Sequence, residues 1–162
     1  MKITDIETIE VGKYLFVKVY TDAGIYGIGE AGAWGYLDGV SGVLKKLAGY
    51  LKDKDPFQIE HHWNAIYRSM YFRGSILMSA LSAIDIALWD IKGKALGVPI
   101  YELLGGKCRD KVRCYEAVFQ FTPESMAQAC LDLKNRGCDA ARLMITGDLR
   151  QSQADRTSSI YN

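Results

Sequence analysis

The feature that most constrains the fold is a helix-length segment that is apolar around much of its circumference. Its apolar residues recur at helical spacing: Ala80, Leu81, Ile84, Ala87, Leu88 and Ile91. Ser75 is placed to cap the start of this helix, and Gly97 followed by Pro99 is typical of its end. A helix without a wide polar face is packed on several sides. The sequence therefore predicts a deeply packed helix from Ser75 to about Gly97.

Three strands are predicted before this helix. The segment Ile3–Val11 is rich in β-branched residues, and residues 15–20 alternate between two distinct faces. Short turns separate these strands from each other and from a third strand at residues 25–30. The two glycines of the third strand indicate close approach of another backbone. Three consecutive strands joined by short turns predict an antiparallel meander.

Two further helices are predicted between the meander and the central helix. One helical face carries Val43, Leu44, Leu47, Tyr50 and Leu51. Asp55 and Pro56 are predicted to start the next helix, because aspartate caps helices and proline is tolerated in the first turn. The apolar stripe of that helix is Ile59, Trp63, Ile66, Tyr67 and Met70. Strands followed by helices indicate an α+β fold.

The pattern changes after residue 110. Residues 112–118 are predicted to form a strand, Thr122 begins a helix that ends at Gly137, and residues 140–145 form a second strand. A β-α-β unit placed here implies that a parallel sheet or barrel is just beginning.

The predicted organisation has three parts: a domain at residues 1–110, a β-α-β unit at residues 111–146, and a loop or disordered tail at residues 147–162. A complete (β/α)8 barrel takes about 250 residues. Three explanations stay open: the chain continues beyond residue 162, the β-α-β unit packs on a partner copy, or it is poorly ordered.

Composition excludes several classes of protein. Hydrophobic residues make up 49% and charged residues 24%, the balance of a soluble globular protein. The net charge of +1, without a basic cluster, predicts neither a nucleic-acid partner nor an anionic membrane partner. No apolar run reaches the roughly 18 residues of a membrane span. Four cysteines without a CxxC pair and no export signal predict a cytoplasmic protein with reduced thiols.

One long segment resembles a known family. Residues 80–106, ALSAIDIALWDIKGKALGVPIYELLGG, resemble the signature helix of the mandelate racemase/muconate lactonizing enzyme family of the enolase superfamily. Residues 21–31, TDAGIYGIGEA, are similar to the strand pair of that family. Residues 71–74, YFRG, resemble its sugar-acid dehydratase branch, especially the galactonate and mannonate dehydratases.

The resemblance implies an enolase-like N-terminal capping domain that closes over the mouth of a TIM-type barrel. It also implies a Mg²⁺ ion held by three acidic residues on later barrel strands, with no metal ligand expected in this chain. The metal stabilises the enediolate that forms when a base removes the proton α to a carboxylate. The implied partner is a small-molecule carboxylate, a sugar acid. A homo-oligomer is expected, because relatives assemble and an unfinished barrel leaves apolar surface to cover.

The resemblance also places two residues on the second barrel strand. Many relatives carry a Lys-x-Lys motif there, and its second lysine is a base. Arg142 and Met144 occupy the two lysine positions in this chain. Methionine cannot accept a proton, which argues against a racemase-type lysine base and favours the dehydratase branch. Arg142 could supply positive charge near a substrate carboxylate, or it could form a salt bridge at the strand end.

Three residues of the predicted capping domain are candidates for substrate contact: Trp34, Tyr36 and Arg73. The two aromatic residues follow the third strand, where a capping loop is expected, and their alternative role is packing at a domain interface. Arg73 could bind a carboxylate or hydroxyl group, or form a structural ion pair. The adjacent His61 and His62 point about 100° apart on a helix, so a shared metal is not expected.

Three functions remain as hypotheses. The first is the N-terminal portion of a Mg²⁺-dependent aldonate dehydratase, with this chain alone inactive. The second is a racemase, epimerase or cycloisomerase of the same superfamily. The third is a non-catalytic assembly module, which applies if the natural protein ends at residue 162.

Overall fold

The computed structural model of the protein describes residues 1–33, 35–120 and 122–143. The chain divides into two compact units, Met1–Lys107 and Cys108–Asn162. The elements of the first unit are, in chain order, β1 (Ile3–Val11), β2 (Tyr14–Thr21), β3 (Tyr26–Ala31), α1 (Leu37–Leu51), α2 (Ile59–Ser69), α3 (Ser75–Leu96) and α4 (Ile100–Leu103). This unit has the α+β order that the sequence predicts, with its strands before its helices.

The three strands form an antiparallel sheet in the order β1-β2-β3, which confirms the predicted meander. Ile6 of β1 lies opposite Val19 of β2, and Val17 of β2 lies opposite Gly29 of β3. Alternate residues of the central strand are buried: Leu15, Val17, Val19 and Thr21. Because this face packs on the helices, the core lies between the sheet and the helical layer.

Helix α3 lies directly on strand β3. A β-carbon placed on Gly27 would lie 1.9 Å from the carbonyl oxygen of Ala87, and one on Gly29 would lie 2.0 Å from that of Ala83. No side chain fits in this space, which confirms the predicted close approach of another backbone. The contacts step backward along α3 as β3 advances, so the helix runs antiparallel to the strand.

The central helix is buried along most of its length, as predicted: Leu77, Ala80, Leu81, Ala83, Ile84, Ala87, Leu88, Ile91 and Gly93. Gly97 follows its last turn with φ 69°, a left-handed conformation that favours glycine and ends the helix. The predicted cap at its start is wrong. Ser75 is the first helical residue, and extended Gly74 occupies the cap position without a side-chain hydrogen bond.

The predicted start of α2 is also wrong. The helix begins at Ile59, after a turn that contains Asp55 and Pro56. The Asp55 carboxylate accepts a hydrogen bond from the backbone N–H of Phe57 at 2.9 Å, which closes the turn instead of capping a helix. The backbone carbonyl of Asp55 accepts a hydrogen bond from His62 Nε2 at 2.9 Å, which ties the turn to α2.

Side chains of α3 cover the outer edge of strand β3. The backbone N–H of Ile28 donates to Asp90 Oδ2 at 2.9 Å, and Lys94 Nζ donates to the carbonyl oxygen of Tyr26 at 2.8 Å. Asp90 and Lys94, which lie one helical turn apart, also form a salt bridge of 2.7 Å. An edge whose polar groups are satisfied in this way is a poor template for an added strand.

The second unit contains β4 (Glu116–Val118), α5 (Pro123–Asn135) and β5 (Ala141–Leu143). Its two strands pair in parallel, which confirms the predicted β-α-β unit. Thr122 caps α5, because its Oγ1 accepts from the backbone N–H of Ser125 at 3.2 Å. The first strand is shorter than predicted, because it begins only at Glu116. Before the strand, Arg113 forms a salt bridge of 3.0 Å with Asp139, outside the paired strands.

The predicted tail at residues 147–162 lies outside the described residues, as do residues 144 and 145 of the predicted second strand. In the part of the chain that the structure describes, no helix is both long and apolar enough to cross a membrane.

Candidate functional site

Three connecting segments gather at one end of the first unit. Leu15 pairs with Ala31, so the turn at residues 12–13 and the described residues 32, 33, 35 and 36 lie at the same end of the sheet. Helix α3 runs antiparallel to β3, so residues 70–74, which precede it, lie at this end too. We call these three segments the loop end.

The first turns of α1 and α3 meet at the loop end. A β-carbon placed on Gly39 of α1 would lie 3.1 Å from Cδ1 of Ile76 in α3. This contact places the start of α1 beside the start of α3, so the described residues that directly precede the two helices lie near each other. Exposed loops positioned by a rigid scaffold are a common location for binding residues.

Tyr36 lies at the loop end with 67% of its surface exposed. Its backbone N–H donates to the carbonyl oxygen of Ala33 at 3.1 Å, and it occupies the position before α1. Its phenol is therefore accessible to a ligand or partner. Trp34, the other aromatic candidate in this segment, lies outside the described residues. Substrate contact by either residue stays a prediction.

Arg73 also lies at the loop end, where it is held against helix α2. Its Nε donates to the carbonyl oxygen of Tyr67 at 2.9 Å, and its guanidinium lies 4.4 Å from the centre of the Tyr67 ring. That ring stacks on Trp63 with 4.8 Å between centroids. These contacts fix the position of Arg73 through a hydrogen bond and a cation–π contact. Its predicted contact with substrate stays a prediction.

Two exposed aromatic residues at the loop end were missed as candidates from the sequence. Tyr71 and Phe72 are 97% and 91% exposed, the largest exposures among the large apolar side chains of the described residues. The sequence contains a signal for them, because both residues come just before Arg73 within the segment that resembles the dehydratases. Their exposure depends on the local backbone path, which periodicity does not reveal.

Arg142 belongs to the second unit, whereas Tyr36 and Arg73 belong to the first. It lies on the short strand β5, where it is exposed and opposite Ala117 of β4. Met144, which the resemblance places at the position of the family's basic lysine, lies outside the described residues. The role of Arg142 near a substrate carboxylate stays a prediction.

The contacts of the histidine pair on α2 indicate a structural role. Burial lowers the pKa of His62, although the hydrogen bond to the Asp55 carbonyl opposes this shift. Both ring nitrogens have partners, since Nε2 donates to that carbonyl and Nδ1 lies 3.2 Å from the Tyr50 hydroxyl. The neighbouring His61 is exposed on a different side of the helix. These contacts leave His62 no free nitrogen for a metal ion.

A carboxylate of α3 lies in a shallow concavity beside strand β3. Burial raises the pKa of Asp85, and the negative charge of Glu60 adds to this shift. The concavity is about 630 Å³ and is lined mainly by apolar side chains, including Ile28, Trp89 and Leu104. Asp85 lies halfway along α3, past the Ala83 contact with Gly29, and so is not part of the loop end.

The described residues do not fit a Mg²⁺ site. Within residues 1–33, 35–120 and 122–143, no three side chains of His, Cys, Asp or Glu are grouped to hold a metal ion. Magnesium prefers near-octahedral oxygen coordination that includes carboxylates. The described residues therefore form no site that could hold this ion.

A family model for the mandelate racemase/muconate lactonizing enzyme N-terminal domain matches residues 2–105. Among curated relatives, the D-galactonate dehydratase of Xanthomonas axonopodis pv. citri (strain 306) is 44% identical over 152 residues, 93% of this chain and 40% of that protein. The D-galactonate dehydratase of Variovorax paradoxus (strain S110) is 44% identical over 145 residues, 88% of this chain and 38% of that protein. This chain thus spans about 40% of the length of the curated relatives it matches.

Solved structures show the same similarity. An enolase from Pantoea ananatis with bound D-gluconate and Mg matches with a TM-score of 0.84 and 35% identity, over 89% of this chain and 36% of that chain. A member of the enolase superfamily from Salmonella Typhimurium matches with a TM-score of 0.82 and 37% identity, over 88% of this chain and 41% of that chain.

Proposed function

Because the chain belongs to the mandelate racemase/muconate lactonizing enzyme family, we propose that its first unit is the capping domain of a sugar-acid dehydratase. The observation that carries this proposal is the similarity to D-galactonate dehydratases over nearly the whole chain. The gathering of three connecting segments at the loop end supports it, since a capping domain needs one surface that faces the substrate. The substrate class is an aldonate, and the setting is a cytoplasmic homo-oligomer.

The proposed reaction removes water across C2 and C3 of the aldonate. The proton on C2, next to the carboxylate, is transferred to a base, and the hydroxyl group leaves C3 as water. The enol that forms then tautomerises to a 2-keto-3-deoxy acid. We expect Mg²⁺ in the whole enzyme, because a solved relative carries it together with gluconate. We place its ligands outside the described residues, in which no three His, Cys, Asp or Glu side chains are grouped to hold a metal ion.

The proposed role of the loop end is to bind the substrate and exclude water. Tyr36 offers an accessible phenol, and Arg73 offers a guanidinium that Tyr67 holds in place. A fixed positive charge near a carboxylate favours binding and stabilises negative charge that develops on the substrate. Separately from the loop end, Arg142 of strand β5 is proposed to supply positive charge near a substrate carboxylate.

A chimeric enzyme tests this proposal. In the Xanthomonas axonopodis D-galactonate dehydratase, the region that matches residues 2–105 is replaced by those residues of this chain. We expect the chimera to form a 2-keto-3-deoxy acid from D-galactonate, measured as the semicarbazone. The chimera with Arg73→Ala should show a higher KM with only a small loss of thermal stability, since Arg73 is exposed and loses one hydrogen bond and one cation–π contact with Tyr67. Leu104→Ala, a change of an exposed residue directly after α4, serves as the matched control.

Two results would overturn the proposal. One is a folded chimera that exchanges the C2 proton for solvent deuterium but keeps the C3 hydroxyl group, which is the behaviour of a racemase or epimerase. The other is turnover of aldonates by the isolated chain well above background, because the proposal places the base and the metal ligands outside the described residues. A folded chimera without either reaction would contradict the capping role itself.

A further inference from the structure

The guanidinium of Arg73 is held at two points by a single residue, Tyr67 of α2. Its Nε donates to the Tyr67 backbone carbonyl at 2.9 Å, and its guanidinium carbon lies 4.4 Å from the centre of the Tyr67 ring. Tyr67 lies in the last turn of α2, where carbonyl groups have no helical N–H to accept from and where a positive charge is favourable. The two contacts together restrict the orientation of the guanidinium.

The Tyr67 ring is itself anchored to the core. It stacks on Trp63, one turn earlier in α2, with 4.8 Å between the ring centroids and 19° between the ring planes. Both rings are half-buried and pack against the core of the first unit. A free surface arginine loses much side-chain entropy when a ligand orders it. For Arg73 most of that loss occurs on folding, so a ligand meets a guanidinium that is already in place.

The two terminal nitrogens of Arg73, Nη1 and Nη2, remain for a ligand. Within the part of the chain that the structure describes, Arg73 makes no other hydrogen bond and no salt bridge. A guanidinium can bind two oxygen atoms side-on, through Nε and one Nη, or end-on, through both Nη atoms. Because the Tyr67 carbonyl already engages Nε, the end-on arrangement is the one that Arg73 offers.

We infer that Tyr67 is a positioning residue, which orients Arg73 for end-on hydrogen bonds from Nη1 and Nη2 to two neighbouring oxygen atoms of the aldonate. This inference rests on the proposed dehydratase function and adds the geometry by which the loop end recognises its substrate. An aldonate carries such oxygen pairs in its carboxylate and in its neighbouring hydroxyl groups. Both kinds of pair match the planar fork of a guanidinium, which a lysine ammonium cannot reproduce.

A double-mutant cycle in the chimera described above tests this role through KM for D-galactonate. Arg73→Ala should raise KM about tenfold or more, because charge-assisted hydrogen bonds are lost. Tyr67→Leu, which removes the ring and keeps the backbone carbonyl, should raise KM about 3- to 10-fold. The two changes together should raise KM no more than Arg73→Ala alone, because Tyr67 acts on the substrate only through Arg73.

Conservative variants separate orientation from simple packing. Tyr67→Phe keeps the ring and the carbonyl, so its KM should stay within about twofold of that of the unchanged chimera. Arg73→Lys keeps the charge and loses the fork, so its KM should stay close to that of Arg73→Ala. Thermal melts show that each variant is folded, and Tyr67→Met replaces Tyr67→Leu if the latter does not fold.

Competitive inhibition by glycolate identifies the oxygen pair, because glycolate has a carboxylate and a single hydroxyl group. Weaker inhibition of the Tyr67→Leu chimera than of the unchanged chimera assigns Arg73 to the carboxylate. Equal inhibition, together with a raised KM for D-galactonate, assigns Arg73 to a pair of hydroxyl groups.

NMR of the isolated chain tests the positioning without any activity. The Nε–H signal of Arg73 should exchange with water more slowly than that of Arg68, which is exposed in the last turn of α2. The side-chain signals of Arg73 should also carry an upfield ring-current shift. Tyr67→Leu should abolish this shift, and Tyr67→Phe should keep it.

Three outcomes contradict the inference: additive effects of Tyr67→Leu and Arg73→Ala on KM, a Tyr67→Leu chimera with unchanged KM, or Arg73 signals that resemble those of Arg68. Each of them leaves the dehydratase proposal standing, because the chimera still forms product. A chimera without product would instead refute the dehydratase proposal and, with it, substrate binding by Arg73. The NMR comparison would then still decide whether Tyr67 fixes the guanidinium, so the two failures are distinguishable.

Discussion

Replacement of Gly29 by alanine should destabilise the first unit strongly. The new β-carbon would lie 2.0 Å from the carbonyl oxygen and 2.8 Å from the carbonyl carbon of Ala83. Favourable contacts between such atoms need about 3.5–4.0 Å, so β3 and α3 would have to separate by roughly 1.5 Å. Overpacking costs about 1–3 kcal/mol where side chains can adjust. Here the clash is with the backbone of a buried helix, so we expect a loss of about 3 kcal/mol or more.

Urea unfolding followed by tryptophan fluorescence measures this loss. The three tryptophans of the sequence all precede residue 108, so the signal reports on the first unit. A loss of about 3 kcal/mol also lowers the melting temperature by roughly 12–24 °C in a domain of this size.

Gly32→Ala is the matched control for Gly29→Ala. A β-carbon at Gly32 meets nothing within 4 Å, and its backbone has no positive φ, so we expect a change within about 0.5 kcal/mol. An unfolding free energy for Gly29→Ala that equals the control value, at an unchanged m-value, would refute the direct contact between α3 and β3.

Three further changes test other parts of the structure. Gly49→Ala in α1 should raise the unfolding free energy by about 0.5–1 kcal/mol in urea titrations, since its β-carbon meets nothing within 4 Å. Because burial lowers the pKa of His62 below its ordinary 6.5, the unfolded chain takes up a proton first as the pH falls. Stability should therefore drop from neutral pH to about 5, and His62→Gln should reduce that drop. Asp90→Ala should cost about 1 kcal/mol by urea titration, because the Ile28 N–H loses its acceptor and the half-exposed Lys94 loses a solvent-screened partner. Asp90→Asn should recover part of that cost.

The sequence predicts the core of the first unit well, because its signals are local. The apolar spacing along α3 and the glycine at position 97 locate the helix and its end. Gly27 and Gly29 indicate the close backbone contact between β3 and α3 from the sequence alone. The capping positions are harder to predict, because an aspartate such as Asp55 can accept a backbone hydrogen bond either at a helix start or within a turn. Its carbonyl contact with His62 is made only when the chain folds.

The candidate site is less predictable, because its arrangement depends on contacts between elements. The position of Arg73 depends on a hydrogen bond to the backbone carbonyl of Tyr67 in α2 and on a cation–π contact with the Tyr67 ring. No periodicity reports the exposure of Tyr71 and Phe72, which lie between two anchored neighbours. The meeting of three segments at the loop end follows from the antiparallel direction of α3 against β3, which is a property of packing.

The separation between the loop end and the glycine contacts has an evolutionary consequence. The contacts that demand glycine lie within the strand and helix, whereas the loop end lies beyond them at one end of the unit. Distant sites contribute to stability almost independently, and the closure entropy of a loop grows slowly with its length. Lineages of this family could therefore lengthen, shorten or exchange these segments while inheriting the same scaffold. Randomised libraries confined to residues 13, 32, 36 and 71–73, which avoid the left-handed glycines and the core-packed Ala33 and Met70, should consequently yield mostly folded proteins.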